Sequence, residues 1–354
     1  MARAPVPVPA SLLAVAARVE HRLVALLDGE TTRWAELSPD LLAPLESLRD
    51  LVMAGGKRLR PAFCYWGFRA AGGEAEDARV IDAGAAFEML QAFALVHDDV
   101  MDGSATRRGA RTAHLVFGDD HSGERWRGEA RRFGEGVAIL IGDLAHVYAD
   151  LLLATAPPAV RPVWDELRIE LNVGQYLDIL GTARGDTDPA AARQIARYKS
   201  GKYTVERPLH VGAALAGRFE ELRGPLSAYG DPLGEAFQLR DDLLGAFGDE
   251  AATGKPVGDD LREGKPTPLL AEATRGADAE QATVLAEIGR PDLGGTDIER
   301  IQQVLVATGA VATIEAQIDQ LTRQAIAAIE RAPIADPAGE ALVELAEFVA
   351  WREG

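Results

Sequence analysis

Apolar residues recur at three- and four-residue spacing along nearly the whole chain, and convincing runs of strict alternation do not appear. Residues 11–28 and about 39–54 read as amphipathic helices, the second stopped by Gly55-Gly56. Pro61 opens the next helix, and residues 80–102 form one long helix, VIDAGAAFEMLQAFALVHDDVMD, ending at Gly103. Residues 103–136, rich in Gly, Arg and charge, read as a loop. Residues 136–156 resume as a nearly all-apolar core helix broken at Gly142-Asp143, and residues 160–183 form another helix. Asp188 is positioned to cap a helix starting at Pro189, and Pro208 should kink the segment RYKSGKYTVERPLHVGAAL. From residue 279 to Gly354 plain amphipathic helices return without a further motif. No fixed-period repeat and no long linker interrupts the pattern. The expected fold is all-α, a single domain over residues 1–354, with residues 1–10 (PVPVP among them) as an extended arm and Ser11 as a helix N-cap.

Composition narrows this picture. The 354 residues are 47% hydrophobic, ample for a core, while 55 acidic against 37 basic residues leave a net charge of -18. Such a surface argues against non-specific binding to nucleic acid or an anionic membrane, though not against local basic pockets. One cysteine, Cys64, precludes an internal disulfide framework, suits a reducing compartment, and reads as a small core residue. No apolar run reaches the length of a membrane span, and the first residues lack the features of a secretory signal. The expected location is cytoplasmic.

Candidate chemistry lies at the ends of the helical runs. In QAFALVHDDVMDGS, residues 91–104, Asp98 and Asp102 stand one helical turn apart, with Asp99 in the same cluster. Three carboxylates at one helix end repel one another. A hard cation such as magnesium, which takes oxygen ligands from one or two carboxylates plus phosphates, would offset that; a solvated acidic helix end is the plainer alternative. His97 beside them reads as a packed or hydrogen-bonding residue, since magnesium prefers oxygen. Upstream, GGKRLRP at residues 55–61 packs Lys57, Arg58 and Arg60 into four positions behind two glycines, a pattern suited to an anion. Arg107 and Arg108 follow the carboxylates closely enough to grip phosphates held there. Further on, Gln175 and Asp178 share a helix face, and Lys199 and Lys202 sit in a helical pattern that leaves their exposure open. Gln238, Asp241 and Asp242 share another face, ahead of a glycine-rich loop with Lys255, Asp259, Asp260 and Lys265. Paired aspartates ending two helices, with several basic clusters, make a coherent site for a metal-bound diphosphate.

In their order and neighbours these motifs resemble the trans-isoprenyl diphosphate synthases, or polyprenyl synthetases, over nearly the whole chain. The resemblance rests on GGKRLRP at 55–61, DDVMD at 98–102 with the arginine pair after it, GQYLD at 174–178, KSGKYT at 199–204, and FQLRDD with GKPVGDDLREGKPT. It implies a helical bundle around a deep central cavity, two aspartate motifs facing across its mouth, and a homodimer. It also implies magnesium, three ions with substrate bound, held by Asp98 and Asp102 with Asp99 in their cluster, and by Asp241 with Asp242 in support. Lys57, Arg60, Gln91 and Arg108 match positions that hold isopentenyl diphosphate. Arg107, Lys199, Lys255 and Lys265 match those holding the allylic diphosphate, and Ser200, Tyr203 and Gln238 those near the reacting carbons. One departure stands out: the last aspartate of the second motif is replaced by Gly245, with Asp249 four residues further on.

The implied reaction is magnesium-dependent head-to-tail condensation of isopentenyl diphosphate with an allylic diphosphate. A class I terpene cyclase would need only one diphosphate site, and a catalytically silent regulatory subunit would tend to lose an aspartate motif; neither fits as well. Chain length is implied by Phe93, five residues before Asp98, about 7.5 Å along a helix axis, and by the small Ala94. Together with the missing insertion in DDVMD these resemble geranylgeranyl diphosphate synthases, so the expected product has about twenty carbons, farnesyl diphosphate being the alternative.

Overall fold

The computed structural model describes residues 6–185, 188–248, 257–290, 292–334 and 336–352. Those residues are overwhelmingly helical, and by their internal contacts they group into two compact units. The first takes residues 11–65 and 76–156; the second takes residues 6–10, 66–75 and the described residues from 157 onward.

In the first unit, α1 (Ala10–Ala35) buries Leu12, Val15, Val19, Leu23 and Leu27, the single stripe its three- and four-residue spacing requires. It starts one residue before Ser11 and runs a turn and more past residue 28, because Thr32 and Trp34 bond back to Asp28 and Glu30 along the same helix. Then come α2 (Leu42–Met53), α3 (Leu59–Ala70), of which residues 66–70 fall in the second unit, and α4 (Ala78–Asp102). Asp77 caps α4, accepting from the Arg79 N–H, and Gly103 ends it in the left-handed conformation at φ 67. By length and composition α4 could cross a membrane, which the sequence pattern does not anticipate; 67% of its apolar window is buried inside the protein, as befits a core helix.

The expected loop over residues 103–136 is largely ordered. A two-residue antiparallel ribbon pairs Thr106 with Arg111 and Arg107 with Ala110, followed by α5 (Ala113–Gly123). Tertiary packing overrides the weak apolar pattern there, since His114, Phe117 and His121 of α5 are buried. The next helix, α6 (Ala130–Leu152), is not broken at Gly142-Asp143. Gly142 is needed for close approach instead: a Cβ on it would lie 2.3 Å from the His97 ring.

The second unit contains α7 (Val160–Arg184), α8 (Pro189–Ala196), a π-helical stretch Arg197–Glu206, α9 (Arg207–Leu215) and α10 (Phe219–Phe247). Asp188 caps α8 as expected, accepting from the Ala190 N–H. Pro208 falls in the first turn of α9, directly after the π-helical stretch, within one unbroken helical run. Helix α10 is the spine, packing against the π-helical stretch and the helices Ala310–Ile329 and Ala338–Trp351. Tyr229 donates to the Leu342 carbonyl at 2.7 Å, and Arg240 donates to the Ala350 carbonyl at 2.7 Å while gripping Glu315 with both terminal nitrogens.

Candidate active site

The first acidic motif sits on the last turn of α4. Asp99 is buried, Asp98 half-buried and Asp102 exposed, so neighbouring residues of one motif have different environments. The buried carboxylate is neutralised from the ribbon: Arg107 Nε donates to Asp99 Oδ1 at 2.8 Å, and its Nη2 lies 3.7 Å from Asp98. Asp98 and Asp102 stand one turn apart on the same face of α4.

The ribbon turn separates the two arginines. Arg108 and Gly109 both have positive φ, 52 and 76, as a tight two-residue hairpin turn demands. Arg107 therefore reaches Asp99, whereas Arg108 reaches back to the GGKRLRP segment and donates to the Leu51 carbonyl at 2.8 Å. There its guanidinium is pushed down by burial and by the cations Arg58, Arg107 and Arg60, with Glu88 in partial compensation. Lys57 and Arg60 are half-buried nearby in sequence. Gln91, one turn beyond Glu88 on α4, has a buried Oε1 with no hydrogen-bond partner among the described residues. Excess cationic charge is what a bound diphosphate would relieve.

Arg58 has a different role from its neighbours. Its side chain is 1% exposed, pairs with buried Glu88, lies 3.3 Å from Glu20, and donates to the Val52 carbonyl at 2.7 Å. Glu88 is an acid inside an apolar helix, and its purpose shows only in its pairing with Arg58. Phe93 packs against two imidazoles, His97 edge-on at 4.7 Å and His146 of α6 stacked at 4.8 Å; Ala94 beside it is half-buried.

The remaining predicted residues lie in the second unit. Lys199 pairs with Asp178 at 2.5 Å and Lys202 with Glu170 at 2.6 Å, which settles their exposure: both are half-buried. Ser200 is half-buried and Tyr203 buried on the same π-helical stretch. On α10, Gln238 donates to Asp242 at 2.7 Å. Burial, then the carboxylates of Asp260 and Asp241, hold the Asp242 carboxyl well above the usual range despite that bond. Asp241 is paired with Arg352, which follows the last helix and stacks over Phe237 at 4.4 Å. Nothing in the sequence flags Arg352. Lys265 pairs with Glu263 at 2.5 Å. Lys255 and Asp249 lie outside the described residues.

Among the described residues no three carboxylate, imidazole or thiolate side chains converge into a metal cage. The donor set, surface carboxylates in pairs with cations beside them, fits an ion that keeps open positions for phosphate oxygens, as magnesium does.

The comparisons with known proteins agree. Residues 44–307 match the family model described as polyprenyl synthetase. The chain belongs to the polyprenyl synthetase family. It is similar to the geranylfarnesyl diphosphate synthase of Aeropyrum pernix, 33% identical with 90% of this chain and 96% of that one covered. It is also similar to the geranylgeranyl diphosphate synthase of Mycobacterium tuberculosis, 32% identical over 90% and 92% of the two chains. Among solved structures, the geranylgeranyl pyrophosphate synthase of Corynebacterium glutamicum, complexed with isoprenyl diphosphate and magnesium, superposes with a TM-score of 0.89 at 39% identity, covering 94% of this chain and 97% of that one. The expected family and its all-α isoprenoid synthase fold are thus borne out, and a polyprenyl synthetase is a prenyltransferase.

Proposed function

We propose that this polyprenyl synthetase condenses isopentenyl diphosphate with allylic diphosphates, in the presence of magnesium, to give mainly geranylgeranyl diphosphate. The observation that carries the reading is the separation of two cationic sites by one hairpin turn: Arg107 serves the acidic motif, Arg108 the GGKRLRP segment. Two diphosphate substrates need two such sites.

On this reading Asp98 and Asp102, and separately Asp241, would hold magnesium. The chemistry supplied there is neutralisation of the charge that builds on the departing diphosphate. Arg107 and Lys199 bind that diphosphate, each kept in position by a carboxylate, Asp99 and Asp178. Lys57, Arg60, Gln91 and Arg108 hold isopentenyl diphosphate so that its double bond meets the allylic cation. Such positioning lowers a barrier by roughly 7–11 kcal/mol. The allylic carbon–oxygen bond breaks first, the isopentenyl double bond then forms the new carbon–carbon bond with the cation, and a proton passes to the released diphosphate.

A product of about twenty carbons is favoured by Phe93 and Ala94 at the positions named above, and by the names of two of the relatives. A homodimer is supported by an exposed apolar row on α6: Ile139, Leu140, Val147 and Leu151 are 45%, 62%, 54% and 54% exposed. The single cysteine, Cys64, suits a reducing, cytoplasmic setting.

The test is incubation with magnesium, isopentenyl diphosphate and geranyl diphosphate, followed by chromatography of the products. A linear product of about twenty carbons is expected. Diphosphate release with cyclic products only, or no turnover, would overturn the reading.

A further inference from the structure

The second acidic motif of this family member lacks its last carboxylate, because residue 245 is glycine. Helix α10 places residues 241 and 245 one turn apart on the same face, the relation that Asp98 and Asp102 have on α4. The space beside Gly245 is not open. An ideal Cβ on it would lie 1.8 Å from Asp260 Oδ2, so another residue's carboxylate already stands where the side chain of residue 245 would be. We propose that Asp260 supplies through space the carboxylate that residue 245 lacks, and completes with Asp241 the second divalent-cation site.

The placement of Asp260 is built into the fold. It lies on the short helical turn Asp259–Glu263, whose next residue, Leu261, is buried in the cluster that holds Leu243, Ala246, Ile298 and Leu305. The Gly289 N–H donates to the Leu261 carbonyl at 2.9 Å, and Arg262 donates to the Val257 carbonyl at 2.9 Å. With Leu261 sunk on one side and Arg262 tied on the other, the Asp260 carboxylate is directed at α10.

A second observation points to a ligand. Asp242 is 4% exposed, and its Oδ2 has no hydrogen-bond partner among the described residues. Asp242, Asp260, Lys265 and Thr267 help line a cavity of about 10 Å³, room for one particle the size of water.

The inference rests on the magnesium reading above, and the test separates the two. Magnesium is titrated calorimetrically into the full chain with saturating inorganic diphosphate, for wild type and for Asp260→Asn, Asp241→Asn and Asp98→Asn. Asp260→Asn is expected to weaken binding 10–100-fold, the usual loss when a carboxylate supporting a metal is removed. It should match Asp241→Asn, and the two together should cost little more than either alone. The exchange Gly245→Asp with Asp260→Gly should recover most of the affinity that Asp260→Asn loses. Wild-type affinity in Asp260→Asn with a loss in Asp241→Asn overturns the inference and leaves the wider reading standing. Wild-type affinity in all three variants overturns both.

Discussion

Three cations lie within four positions of GGKRLRP, and burial sets Arg58 apart from the half-buried Lys57 and Arg60. Removing Arg58 should therefore unfold the protein more easily without touching substrate affinity, and removing Lys57 should do the reverse. The magnitude follows from burial. Arg58 and Glu88 side chains are 1% and 6% exposed, so Arg58→Ala strands a buried carboxylate as well as the Val52 carbonyl. Breaking one side of such a pair costs about 3–5 kcal/mol. Arg58 also has φ 51, a left-handed conformation that glycine adopts without strain, so Arg58→Gly should cost about 1 kcal/mol less than Arg58→Ala. Replacing both partners with apolar residues, Arg58→Met with Glu88→Leu, should recover most of the loss. Urea unfolding measures the stabilities, and steady-state kinetics the KM for isopentenyl diphosphate. Arg58→Ala with a wild-type midpoint and a raised KM would refute the division, as would Lys57→Ala that destabilises and leaves KM alone.

Asp98→Ala and Asp102→Ala should abolish turnover while leaving the unfolding midpoint within about 0.5 kcal/mol of wild type, since neither carboxylate is buried; near-normal activity with magnesium would sink their role. Phe93→Ala should lengthen the product distribution and Ala94→Phe shorten it, as read by chromatography, and identical distributions for both would remove Phe93 and Ala94 as determinants of chain length. His210 accepts at Nδ1 from Arg207 and faces Ser227, which donates to Glu206 at 2.6 Å. Burial chiefly lowers its pKa, to about 4, so the folded protein holds it neutral where the unfolded chain would protonate it. Stability should then be intact above pH 6.5 and fall as pH drops toward 4, by an amount on the order of 3 kcal/mol. His210→Gln should flatten that slope in denaturation curves across the same window, and parallel curves would count against the assignment.

The helices and the motif order were legible because both follow from local rules: apolar spacing, glycine stops and charge clusters. The Arg107/Arg108 division was legible as an expectation only, because its cause is a hairpin turn inside a segment that reads as loop. There the signal is one glycine, Gly109, following two arginines. Helix α5 escaped for a related reason, its few apolar residues being held by burial rather than by periodicity. Arg352 and Asp260 could not be read at all from spacing. Each meets α10 from a distant part of the chain, and only the folded path brings a carboxylate to Gly245 or a guanidinium to Asp241.

The π-helical stretch Arg197–Glu206 has a consequence for how this gene can change length. A wide turn contains more residues than an α-turn over the same rise, so losing one residue there can be absorbed by rewinding to ordinary helix. The same loss inside α7 or α10 would rotate all that follows by about 100°. Within the stretch itself, however, rewinding would swing Lys199 relative to Lys202, and the two could no longer meet Asp178 and Glu170 together. A single-codon deletion at this point should thus yield a folded protein with its cations misaligned: a viable fold and a silent enzyme from one small edit.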